Sequence, residues 1–210
     1  MDLQPLTEAN AKRWAAAKLT KNFLSIANSL VNAKRRYQIV EGSTGVPWFI
    51  VAVIHEREAG QRWNTQLSQG DPLDKPSIHV PKGTGPFETW EQGAYDALVN
   101  HSPKWHDWTV GGAMTLLETY NGLGYYRRGL PSSYIWSGTD QYKMGKYVRD
   151  GVFDPSFVDP QPGCASIIKT MMTIDPTIKF GPPKASFPSI TPEVPKTLWA
   201  SIKAIFGGNS

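Results

Sequence analysis

The sequence predicts a mainly α-helical (α+β) domain with a small β insert, on three observations. Leu19, Phe23, Ile26, Leu30, Ala33 and Tyr37 recur at alternating steps of four and three, the spacing of one helix face. Seven consecutive apolar residues, Trp48 to Ile54, lie between Pro47 and Gly60, residues suited to a helix entry and exit. The stretch after Gly60 is instead polar and rich in glycine and proline, with room only for short strands.

Taken in order, residues 7–37 predict one long helix or two, with Thr7 as a candidate cap and basic residues spread over the outer faces. Gly42-Ser43-Thr44-Gly45 breaks the chain before the apolar helix. On that helix Trp48, Val51, Ala52, His55 and Glu58 or Ala59 share a broad face, so a carboxyl stands at the end of a core helix. Desolvation there raises a carboxyl pKa and keeps a proton on it near neutral pH. Gly70-Asp71-Pro72 is a turn, and Ser77 to Pro81 suggests loop with one or two short strands, a candidate cleft wall.

Helices are expected again over 86–100 and 108–120, the second stopping at Asn121-Gly122. A glycine- and aromatic-rich stretch follows, then a short helix from Cys164 to Thr173. Five prolines in 181–195 call for extended chain, and 195–206 has the pattern of a small amphipathic helix. The expected organisation is one catalytic domain over 1–180, its motifs concentrated in 46–165, with 181–210 as an appendage.

At 210 residues with 40% hydrophobic content the chain can bury a real core, and eight each of Trp, Tyr and Phe leave aromatics to line a groove. A net charge of +4 suits anionic partners, but the basic residues of 7–37 are dispersed and read as a solvated face, so no nucleic-acid partner is expected. Cys164 is the only cysteine and reads as a buried thiol, with no intrachain disulfide possible. Met1-Asp2-Leu3-Gln4-Pro5 lacks the order of a signal peptide, and no apolar run reaches the ~20 residues of a membrane span. Synthesis in the cytoplasm, release by another route and a monomeric state are expected.

Several motifs fail on spacing. His55-Glu56 lacks the second histidine of a zinc-protease helix, since position 59 is Ala, and His101 and His106 have no cysteine nearby, so no metal is expected. Gly122-x-Gly124 follows a helix and has Arg127 where a dinucleotide fingerprint needs glycine. What remains is a helix-end Glu, a Gly-Asp turn and a Tyr-Asn-Gly helix exit rimmed by aromatics. Cutting a glycosidic bond needs a protonated acid beside the scissile oxygen and surfaces that stack on sugar rings.

The motifs IHEREAG…GDPL, LLETYNGLGYY, YIWSGTDQY and GKYVRDGVFDP, in that order over residues 46–165, resemble a family of bacterial and phage lysozyme-like proteins. These are relatives of goose-type lysozymes and lytic transglycosylases. The resemblance implies a lysozyme-like fold and muramidase activity on peptidoglycan, as in phage endolysins, with no cofactor. It puts the catalytic acid at Glu58, an assisting carboxylate at Asp71, and a Tyr-Asn pair at Tyr120-Asn121 across the cleft. His55, Tyr125, Tyr126, Tyr134, Trp136 and Tyr142 complete the expected pool of substrate contacts. Ala59 stands where transglycosylases carry Ser, so hydrolysis is the expected mode. The alternatives are a lytic transglycosylase that closes an anhydro ring and a wall-binding module of phage or secretion machinery without catalysis.

Overall fold

The computed structural model describes residues 1–68 and 70–181. The chain runs through α1 (Gln4–Ala16), α2 (Leu24–Asn32), α3 (Lys34–Thr44), α4 (Trp48–Ala59), α5 (Trp90–Val99) and α6 (Val110–Asn121). Two single turns follow, α7 (Gly124–Arg127) and α8 (Ser133–Trp136), then a hairpin of β1 (Lys146–Arg149) and β2 (Val152–Asp154), and α9 (Cys164–Ile174). The fold is thus mainly α with one two-stranded antiparallel sheet among the described residues. None of its described helices is long and apolar enough to cross a membrane alone.

α4 is apolar on every side and is enclosed on every side: Ile50 to Ile54 are fully buried. α3 and α9 pack directly on it, and α5 packs on α3. Pro47 caps the helix from just outside it, and Gly60 ends it in the left-handed conformation at φ 56°. On the far side α1 lies along α6 at close range, because Gly111 has no side chain; a Cβ there would meet the Thr7 carbonyl at 2.5 Å.

Two expectations are corrected. The helical pattern of 7–37 does not continue through Leu19, which is 40% exposed. Ala17 turns extended, and residues 18–20 pair with 138–140 instead: Asp140 N donates to Lys18 O and Thr20 N to Gly138 O, both at 3.0 Å. The pleated pair is also not in 77–81, where prolines at 76, 81 and 86 remove ladder donors. It forms at 146–154, where Asp150-Gly151 supplies the tight turn, with Gly151 at φ 70° and Tyr147 opposite Phe153. The extended stretch expected over 181–195, apart from Gly181, and the helix over 195–206 lie outside the described residues.

The α1–α6 seam carries a polar group that makes the fold sensitive to pH. Asn10 and Glu118 are 0% and 1% exposed, and Glu118 Oε1 has no partner among the described residues. Burial pushes the Glu118 carboxyl up to about 7, with Asn10 and the Arg13 charge only partly opposing it. A carboxyl raised on folding favours the folded state most fully below its ordinary value of 4.5, and that contribution is lost as pH rises through about 7. Glu118→Gln should therefore be more stable than wild type above pH ~7, by on the order of 2–3 kcal/mol, and nearly equal to it near pH ~4.5. Thermal unfolding of both proteins across that range checks this. A constant difference at all pH values would rule it out.

Candidate active site

The last turn of α4 is where the buried helix first meets open space. Glu56 and Glu58 are half-buried there and the Arg57 side chain is 5% exposed, between fully buried His55 and buried Ala59. Successive residues point ~100° apart on a helix, so the three take different surroundings. Glu56 accepts from Gln61 Nε2 at 2.7 Å and takes no part in the site. Glu58 accepts from the Tyr134 hydroxyl at 2.8 Å. Burial pushes its carboxyl pKa up, opposed in part by that hydrogen bond and by the Arg57 charge.

Glu58 lines a cavity of about 480 Å³. Tyr120 and Asn121 line it from the end of α6, Ala97 and His101 from α5 and its exit, and Ser68, Val80 and Pro81 from the long loop after α4. The expected trio of Glu58, Tyr120 and Asn121 thus meets at one cavity. A second cavity of about 510 Å³ also borders Asn121 and is walled by α7, α8 and the β hairpin. Tyr125 and Tyr134 line this second space together with Arg57.

Arg57 locks the helix end. It donates to Pro162 O at 3.1 Å and to Asp159 Oδ2 at 3.2 Å, and its guanidinium lies 4.7 Å over the Tyr134 ring. Lys146 Nζ donates to the other Asp159 oxygen at 2.8 Å. Burial alone would raise the Asp159 carboxyl, but the two cations bring it below its ordinary value. Tyr134, held by Arg57 and donating to Glu58, is therefore a positioning group for the acid as well as a cavity wall.

Four expected contacts lie elsewhere. His55 is in the core: Nδ1 accepts from Tyr37 at 3.0 Å, Nε2 donates to Arg62 O at 3.0 Å, and the rings of Trp63 and Trp90 flank it. Burial pulls its pKa down to about 4, so it is neutral and structural. Trp136 is fully buried. Tyr142 is buried and spends its hydroxyl on Gly145 O and on the Asp159 amide, which fixes the loop carrying Asp159. Tyr126 is half-buried and lines neither cavity.

Asp71 was expected as the assisting carboxylate, and it too lines neither cavity. Its carboxylate accepts from Ser77 Oγ, His79 N at 3.1 Å and His79 Nδ1 at 2.7 Å. Those bonds, the Ser77 one foremost, hold its pKa down at about 2. Asp71 anchors the loop whose continuation, Val80-Pro81, walls the Glu58 cavity. Gln66 performs the companion task from inside, its buried amide lying within hydrogen-bond reach of the carbonyls of Pro72, Lys75 and Thr84. The Arg57–Asp159 pair carries no local signal, since its members are 102 positions apart, and Gln66 reaches carbonyls that only the fold of the loop brings to it.

No protein-family model matches the chain, and neither a curated protein nor a solved structure matches it. Among the described residues no three His, Cys, Asp or Glu side chains are grouped to hold a metal ion.

The Tyr134 bond to Glu58 has a sign that kinetics can read. A hydroxyl donating to a carboxylate favours the charged form, so its removal raises the carboxyl pKa further. If Glu58 works as an acid, Tyr134→Phe should shift the alkaline limb of its pH–rate profile to higher pH. An unmoved limb, or one displaced to lower pH, would show that Tyr134 does not tune Glu58.

Proposed function

We propose that this protein cleaves the glycan strands of peptidoglycan between N-acetylmuramic acid and N-acetylglucosamine, with Glu58 as the general acid, in the manner of the lysozyme-like proteins its motifs resemble. The observation that carries the proposal is a carboxyl with raised pKa, held by Tyr134, in a cavity it shares with Tyr120 and Asn121. Protonated Glu58 donates to the bridging oxygen as the C1–O bond breaks, and positive charge develops on the muramic ring. The departing sugar takes the proton, and Glu58, now a carboxylate, accepts one from the attacking nucleophile.

The identity of that nucleophile separates two modes. Hydrolysis uses water, and with a second carboxylate as base it would rely on Asp71. The engagement of Asp71 by Ser77 and His79 favours the other mode, in which the muramic 6-hydroxyl attacks C1 and closes an anhydro ring. That route needs no second carboxylate, because Glu58 serves as acid and then base. A wall-binding module without catalysis would need the groove but no protonated acid in it.

Glu58→Gln should keep the fold and lower the rate of clearing purified cell walls by ~10²–10⁴-fold, the usual worth of general acid catalysis. A folded variant with near wild-type clearing would remove Glu58 from the mechanism, and a wild type inactive over a wide pH range would favour the binding module. Mass analysis of the products separates the modes, since an anhydro end is lighter by one water than a reducing end.

Asp71→Asn gives a second, independent reading. As a loop anchor it should chiefly raise KM, with kcat within a few-fold of wild type and the product masses unchanged. A ~10²-fold fall in kcat at unchanged KM would restore Asp71 as the base.

A further inference from the structure

The second cavity has a charge character that acid catalysis on a glycan does not require. Four cations line it: Arg57, Arg127, Lys146 and Arg149, against a single lining carboxylate, Asp150. The buried Asp159 pairs with Arg57 and Lys146 from behind. Arg127 and Arg149 are exposed and have no ion-pair partner among the described residues. Arg57 has only 5% of its side chain exposed, so behind its pairing with Asp159 it contributes positive charge to this wall and no free donor. A wall with cations in excess, two of them exposed guanidinium groups without an ion-pair partner, is the donor set of an anion site. Guanidinium groups suit carboxylates in particular, because their parallel N–H groups match the two oxygens.

The position of the cavity indicates where that anion belongs. It shares Asn121 with the Glu58 cavity, and Tyr134 joins the two, lining one while donating to the acid of the other. An anion held there is attached to the sugar next to the cut bond. We infer that the second cavity, through the exposed Arg127 and Arg149, binds the carboxylates of the peptide stem carried by the muramic acid at the cleavage point. This rests on the peptidoglycan reading above and adds a preference to it: strands that bear stems are bound over strands stripped of them.

The test measures the affinity of full-length protein carrying Glu58→Gln, so that no strand is cut, for two defined glycan fragments of equal length. One keeps its peptide stems, and the other has had them removed by an amidase and the lactyl carboxylate so freed converted to its methylamide, so that it carries no anion. The stem-bearing fragment should bind more tightly, and Arg127→Ala/Arg149→Ala in the same background should reduce that preference about tenfold, equivalent to ~1.4 kcal/mol. Both arginines are exposed, so the variant is expected to fold, and circular dichroism checks it. The preference should also shrink as salt is raised. Equal affinity for the two fragments, or a preference that survives the double substitution, overturns the stem site and leaves the cleavage reading standing. Binding of neither fragment overturns both.

Discussion

A helix apolar on all its faces has to be surrounded, and α4 imposes that requirement on the rest of the molecule. Its five consecutive fully buried residues, Ile50 to Ile54, bring α3 and α9 against it, and the aromatic group of Tyr37, Trp63 and Trp90 closes around His55. Burial of each of the Ile and Val side chains among them is worth ~1.5–3 kcal/mol relative to exposure, so no other placement of the segment competes. The consequence for chemistry lies at the end of the helix. Wherever an enclosed helix reaches the surface, its last turn holds polar groups at the edge of a low-dielectric interior, and Glu58 is such a group.

The three charged residues of that turn illustrate how direction decides role. Glu56 reaches Gln61, Arg57 turns inward to Asp159, and Glu58 faces the cavity. An inward arginine needs a partner, since removing one member of a buried pair costs about 3–5 kcal/mol. Asp159 meets that need and also takes Lys146, so the α4 end is tied to the β hairpin. The same ion pair holds Tyr134 under the guanidinium and in reach of Glu58. Structural locking and tuning of the acid are therefore one arrangement.

The opposite wall is built by other means. Prolines deny the 72–86 segment a strand ladder, yet its backbone groups still need partners. The Gln66 side chain provides them for carbonyls and the Asp71 carboxylate for the His79 amide, with Ser77 N donating to Thr84 O across the loop at 2.8 Å. A carboxylate committed to three local donors and held near a pKa of about 2 is a poor base. It is a good anchor.

The legible part of this chain is what periodicity and helix-end chemistry specify. Glycine stops ended α4 and α6, and α4, α6 and α9 were located to within a residue or two, and with them the helix-end Glu58 and the Tyr120-Asn121 exit. Those are local properties, set by residues close together in the chain. Beyond local reach, the sequence treated all aromatics in the motif region alike, whereas packing sent Trp136 and Tyr142 inward and left Tyr125 and Tyr134 on a cavity wall. His55 looked available because it shares a face with Glu58, but burial one turn earlier made it a neutral core group. Asp71 was legible as part of a turn, but its partners Ser77 and His79 were not, because they are chosen by the fold of the loop. The ion pair between Arg57 and Asp159 joins residues 102 positions apart, and no local pattern reports a contact that only the closing of the tertiary structure creates.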